Sequence, residues 1–150
     1  MIHSIKPIRY IGPVFLPPLL KGTWNLGRSN DWRTERLRKF MDSHDGKLGR
    51  NVKTVVRDLK LDISGIHAGR LFKRDLGIGI REYAKRTRLV TAAVLLRVSP
   101  DSIKQIAARL GYRSVQDFTR VFRAMFNQSP TEFREAQRRS AQKLLEAKAS

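Results

Sequence analysis

The sequence predicts an all-α protein, organised as two helix-turn-helix subdomains joined by a long linker helix. Three observations predict it. From Asn30 onward apolar residues recur at helical spacing, with no alternating strand pattern. Serine or asparagine stands ahead of the apolar runs and glycine behind them, where helices start and stop. A shift of fifty residues places Ser64 on Ser114, Arg70 on Arg120, Phe72 on Phe122, Lys73 on Arg123, Glu82 on Glu132 and Tyr83 on Phe133, so one unit occurs twice.

Residues 1–29 form a basic arm with Lys6, Arg9, Lys21 and Arg28, no acidic residue, and prolines that forbid a long helix. The residues leave open whether this arm is extended, is the stub of an N-terminal domain, or packs its apolar side chains on the body. The first subdomain, residues 30–79, starts with a helix carrying Trp32, Leu37, Phe40 and Met41 on its buried side and ending near Ser43. Asn51 caps a second helix with Val52, Val55, Val56 and Leu59 on one face. Ser64 caps a third, which buries Ala68, Leu71 and Phe72 and stops at Gly77.

The linker helix spans residues 80–97, with Tyr83, Ala84, Leu89, Ala92, Ala93 and Leu96 as its apolar side. In the second subdomain, residues 98–137, Ser99-Pro100 reads as the start of the next helix, serine as cap and proline in the first turn. That helix carries Ile103, Ile106, Ala107 and Leu110 and ends at Gly111. Ser114-Val115-Gln116-Asp117 then opens another in a capping-box-like arrangement, burying Phe118, Val121, Phe122 and Met125. Ser129-Pro130-Thr131-Glu132 is a third start signal, with Phe133 behind it, and residues 138–150 form a charged, alanine-rich tail.

Charge points to the partner. Thirty-one Lys and Arg against thirteen Asp and Glu give a net charge of +18, more than solubility requires. The absence of cysteine excludes disulfides, Cys-ligated zinc and a thiol nucleophile. The apolar tract from Ile8 to Leu20 is broken by Arg9, Gly12 and three prolines, too often for a spanning helix or a signal peptide. The expectation is a cytoplasmic protein with no membrane partner. Histidines are scattered and acidic residues read as caps or solvent-facing charge, so no enzyme site, metal or cofactor is expected.

In a helix-turn-helix the second helix enters the major groove, and its exposed residues near the start read bases. The second unit presents Gln116, Thr119 and Arg120 there, chemistries suited to adenine, thymine or guanine edges. The same face of the first unit holds Ile66, Gly69 and Arg70, of which only Arg70 can make a bidentate contact, so the second unit is expected to be the main reader. Lys73, Arg74, Arg113, Ser114 and Arg123 are candidates for phosphate contacts, with Ser64 at the equivalent cap of the first unit. His67 has no carboxylate or cysteine companions and is read as an ordinary surface residue.

These residues carry a resemblance. Leu71-Phe72-Lys73-Arg74 with Gly77 and Tyr83, Ile106-Ala107, Leu110-Gly111-Tyr112, Ser114, Phe118, Arg120, Phe122 and Ser129-Pro130-Thr131-Glu132-Phe133-Arg134 resemble the DNA-binding domain of the AraC/XylS family of bacterial transcription regulators, over about residues 31 to 137. The resemblance implies two recognition helices in successive major grooves of promoter DNA. It implies base contacts from Ile66, Gly69 and Arg70 in the first unit and from Val115, Gln116, Thr119 and Arg120 in the second. It also implies activation of transcription through RNA polymerase, by a monomer on DNA, as in the short stand-alone members of the family or as a fragment of a longer regulator. Three departures bear on the first unit: Gly69 lacks a side chain able to reach a base, Ala68 is smaller than the customary core residue, and the stretch from Val56 to Ser64 is about two residues longer than the usual turn. The rival from another class is an architectural or nonspecific nucleic-acid-binding protein in which the fold has lost its readout.

Overall fold

The computed structural model describes residues 31–48 and 51–149, and the arm at residues 1–29 lies outside them. Seven α-helices and no strand occur among the described residues: α1 Trp32–Ser43, α2 Val52–Asp58, α3 Gly65–Leu76, α4 Ile80–Val98, α5 Ile103–Arg109, α6 Val115–Phe126 and α7 Pro130–Ala149. The chain divides into two compact units inside α4, between Ala84 and Lys85.

The first unit buries Leu37 and Met41 of α1, Val55 and Val56 of α2, Leu61, Ala68 and Phe72, and Ile80, Tyr83 and Ala84 at the start of α4. Phe72 and Tyr83 meet edge to face, with ring centroids 5.4 Å apart. The Tyr83 hydroxyl donates to Asp42 Oδ1 at 2.8 Å, tying α4 to the end of α1. Trp32, expected on the buried side of α1, is 59% exposed instead. It occupies the first helical position, ahead of the turn that faces the core, and the Arg33 guanidinium lies 6.0 Å from its ring centre.

The second unit is built on aromatic rings. Phe118, Phe122, Phe126 and Phe133 form a connected set with centroid separations of 4.4–5.6 Å, and Tyr112 joins it through Phe118 at 5.2 Å. Around them pack Leu89, Ala92, Ala93, Leu95 and Leu96 of α4 with Ile106, Ala107 and Leu110. Val121 and Met125, expected inside, are only partly buried, whereas Phe126, one turn beyond Phe122, joins Phe118 and Phe122 in the core. The cap of α5 is also not the expected one. The Ser102 hydroxyl, not that of Ser99, accepts from Gln105 N–H, and Ser102 N–H donates to the Gln105 side-chain oxygen in return, closing a capping box, while Ser99 Oγ accepts from Asp101 N–H in the preceding turn.

The two helix pairs differ by one residue. Leu61 N–H bonds Val56 O at 3.2 Å as Tyr112 N–H bonds Ala107 O at 3.0 Å, so up to Leu61 the copies are related by fifty-one residues. From Ser64 on they are related by fifty. The extra residue therefore lies between Leu61 and Ser64, one residue more than in the chain's own second turn. Asp62 there takes the left-handed conformation, with φ 51°. Lys60 does so too, with φ 52°, where the second copy has Gly111 at φ 80°.

Candidate nucleic-acid interface

Each helix of interest starts on a serine. Ser64 Oγ accepts from His67 N–H at 3.1 Å and Ser114 Oγ accepts from Asp117 N–H at 3.0 Å. A hydroxyl that accepts in this way keeps its proton, so both caps retain a donor for a phosphate oxygen. Left-handed residues end the helices, Gly77 with φ 74° and Asn127 with φ 56°.

Burial of Ala68, Leu71 and Phe72 turns the opposite face of α3 outward. Ile66, His67, Arg70, Lys73 and Arg74 are exposed, and Gly69 is partly covered. Ile66 is 74% exposed, more than any other large apolar side chain among the described residues. Nothing lies within 4 Å of where a Cβ on Gly69 would stand, so the fold itself does not demand glycine there. Arg74 differs from Lys73 in that its Nε donates to Asp75 Oδ1 at 2.8 Å, a bond that raises its pKa and offsets its charge.

In α6 the buried set is Phe118, Phe122 and Phe126, and Gln116, Asp117, Arg120 and Arg123 are exposed on the other side. Val115 and Thr119 are partly covered beside them, and Arg113 is exposed in the turn that precedes Ser114. Gln116, Arg120 and Arg123 follow one another at spacings of four and three, so a single helical face carries them. The expected base-reading residues of each unit thus share one face of one helix. Sequence reasoning missed a pair on that face: Arg120 Nη2 donates to Asp117 Oδ1 at 3.2 Å. The signal is the spacing of three between opposite charges, at a residue that equally fits the capping-box pattern opened by Ser114.

Other polar groups hold the frame. Glu132 Oε2 accepts from Ser129 N–H at 2.7 Å while Ser129 Oγ accepts from Glu132 N–H at 3.2 Å, closing a capping box at α7. The bond from Ser129 N–H is the first reason that the Glu132 carboxyl titrates below its usual value. Arg134 donates to two backbone carbonyls, Asp101 O at 2.6 Å and Leu96 O at 3.3 Å, and so satisfies acceptors at the end of α4 and ahead of α5. Among the described residues no three acidic or imidazole side chains gather as a metal site, and no helix is long and apolar enough to cross a membrane.

Comparison with known proteins places this arrangement. A helix-turn-helix domain model matches residues 47–136, across both helix pairs. The regulatory protein SoxS of Salmonella typhimurium is 36% identical over 101 residues, covering 67% of this chain and 91% of SoxS. The chain belongs to the AraC family of DNA-binding transcription regulators. Members of this family are DNA-binding proteins and not enzymes. YfiF of Bacillus subtilis, an HTH-type transcriptional regulator, is 44% identical over 72 residues, covering 48% of the chain but 23% of YfiF. The transcriptional activator RhaR of Mannheimia succiniciproducens, 37% identical, is covered over 28% of its length, so the chain spans under a third of these two AraC-family relatives. Among solved structures, the C-terminal domain of AraT, a response regulator from Geobacillus stearothermophilus, is similar over 71% of this chain and 86% of that domain, with a TM-score of 0.64 and 25% identity.

Proposed function

We propose that the chain is a sequence-specific regulator, in the main an activator, that inserts α3 and α6 into successive major grooves of promoter DNA, about 34 Å apart on one face. The observation that carries this reading is the shared design of the two helices. Each is capped by serine, buries an aromatic and apolar stripe, and turns a polar, cationic stripe outward. One chain supplies both helices, so a monomer suffices and the site need not be a palindrome. Gln116, Thr119 and Arg120, with Val115 beside them, are the main readers, and Arg70 with Ile66 and Gly69 reads in the first unit. Ser64, Lys73, Arg113, Ser114 and Arg123 contact phosphates, and Arg74 joins them when Asp75 releases it. In this reading the folded subdomains are residues 30–79 and 98–137, the helix over 80–97 joins them, and the partner beyond DNA is RNA polymerase in the cytoplasm.

The test is selection of duplexes from a random library at near-physiological salt, where charge alone is poorly rewarded. The expected result is a motif of two blocks about one helical turn apart. One block alone refutes base reading by α3. No enrichment refutes specific regulation and leaves a basic protein that coats DNA, the outcome that the bare Gly69 and the apolar Ile66 favour for the first unit.

A further inference from the structure

We infer that Asp117 is a positioning residue that holds the Arg120 guanidinium for guanine and penalises other bases. The inference rests on the reading of α6 as a base-reading helix.

Three serines in this chain are followed at the third position by a side chain able to reach back. Ser102 with Gln105 and Ser129 with Glu132 close their capping boxes, the side-chain oxygen accepting from the serine N–H at 2.8 and 2.7 Å. Ser114 with Asp117 does not. Ser114 Oγ accepts from Asp117 N–H, but the Asp117 carboxylate, one methylene shorter than a glutamate, turns outward and accepts from Arg120 Nη2 at 3.2 Å. Both side chains stand clear of the Phe118 and Phe122 side of the helix, at 52% and 77% exposure.

The pair acts where water leaves. In bulk solvent an exposed ion pair is weak. A carboxylate carried into a groove lined by phosphates is repelled unless its cation stays with it, and water exclusion strengthens both terms. Arg120 has five N–H donors, of which Asp117 uses one, leaving an edge for guanine O6 and N7. If Arg120 swings away to a phosphate or another base, Asp117 is stranded. The carboxylate therefore lowers affinity for wrong sequences more than for the right one. The first unit lacks this device: His67 stands in the equivalent position, and among the described residues no carboxylate pairs with Arg70. Arg70 should accordingly tolerate several bases where Arg120 demands one.

The experiment uses the full chain, its selected duplex, a scrambled duplex, and duplexes altered at each base pair in turn, at one salt concentration. Asp117→Ala is expected to reduce preference at the Arg120 base pair about tenfold, a part of what a bidentate contact is worth, while affinity for the scrambled duplex rises severalfold. Asp117→Asn loses the same charge but keeps an acceptor, so it should gain the same nonspecific affinity and retain part of the preference. Arg120→Ala should bind the selected duplex more weakly than the double variant, because it alone leaves Asp117 unpaired. Circular dichroism melts confirm that each variant is folded. Unchanged preference in Asp117→Ala, or strictly additive effects in the double variant, would overturn the inference. If Arg120→Ala alters no base preference at all, the reading of α6 itself falls and takes the role of Asp117 with it.

Discussion

Replacing Gly69 by alanine separates what the fold needs at α3 from what DNA binding needs. Gly69 is the fifth residue of α3, past the cap and short of the last turn. Alanine at an interior position is favoured over glycine by about 1 kcal/mol, from the smaller backbone entropy lost on folding. No steric debit offsets this, since an added Cβ meets nothing within 4 Å. In a domain of 60–100 residues the gain corresponds to a rise in Tm of roughly 4–8 °C, read by thermal melts in far-ultraviolet circular dichroism and checked by urea denaturation. A variant that is no more stable, or less, would falsify the open helical environment argued for Gly69. Binding is the second readout. On the proposed function, the missing side chain lets the α3 backbone lie close to the groove floor, so the stabilised variant should bind the selected duplex more weakly. Equal or tighter binding would show that close approach is not the use of this glycine.

Three further expectations follow from single residues. Lys60→Gly should stabilise the first unit by about 1 kcal/mol, because Lys60 holds the left-handed conformation that Gly111 holds without cost in the second copy, and a melt reads it. Asp31 caps α1 and bonds the Arg33 side chain, which takes its pKa from the usual 3.8 down to about 2. Asp31→Ala should cost about 1 kcal/mol. A depressed carboxylate stabilises above its unfolded pKa and loses that contribution as pH falls through the folded one, so the difference from wild type should be full above about pH 5, shrink as pH falls, and be lost only below about pH 2. Arg134→Ala should destabilise the second unit by about 2 kcal/mol, since two backbone carbonyls lose a charged donor, and an unaltered urea midpoint would refute that role.

The helix starts at Asn51, Ser64, Ser114 and Ser129 and the stop at Gly77 were legible because a cap is a local bargain between one side chain and a backbone a few atoms away. Ser99 misled because proline follows it, but its third successor is Ser102, whereas Ser102 is followed by Gln105, which can answer it. Phe126 and Trp32 show the limit of periodicity: it gives a face, but the depth reached depends on what the other helices leave open. The exposed polar faces of α3 and α6 were legible as faces. The pairs Arg120 with Asp117 and Arg74 with Asp75 were not, because a carboxylate that can cap or pair chooses by reach, and reach is set by rotamer.

The ring cluster of the second unit has a consequence for partial unfolding. Five aromatic rings interlock there, whereas among the described residues the first unit has one such buried pair, carries three left-handed non-glycine residues (Asp45, Lys60 and Asp62) against one in the second (Asn127), and has two glycines inside α3. All of these differences act in one direction, so the first unit should open at lower free energy. A chain with that unit open still holds α6 on an intact frame. On the proposed two-block site such a species would hold one block only, and warming would then blur the address by shortening it before the protein lets go of DNA altogether.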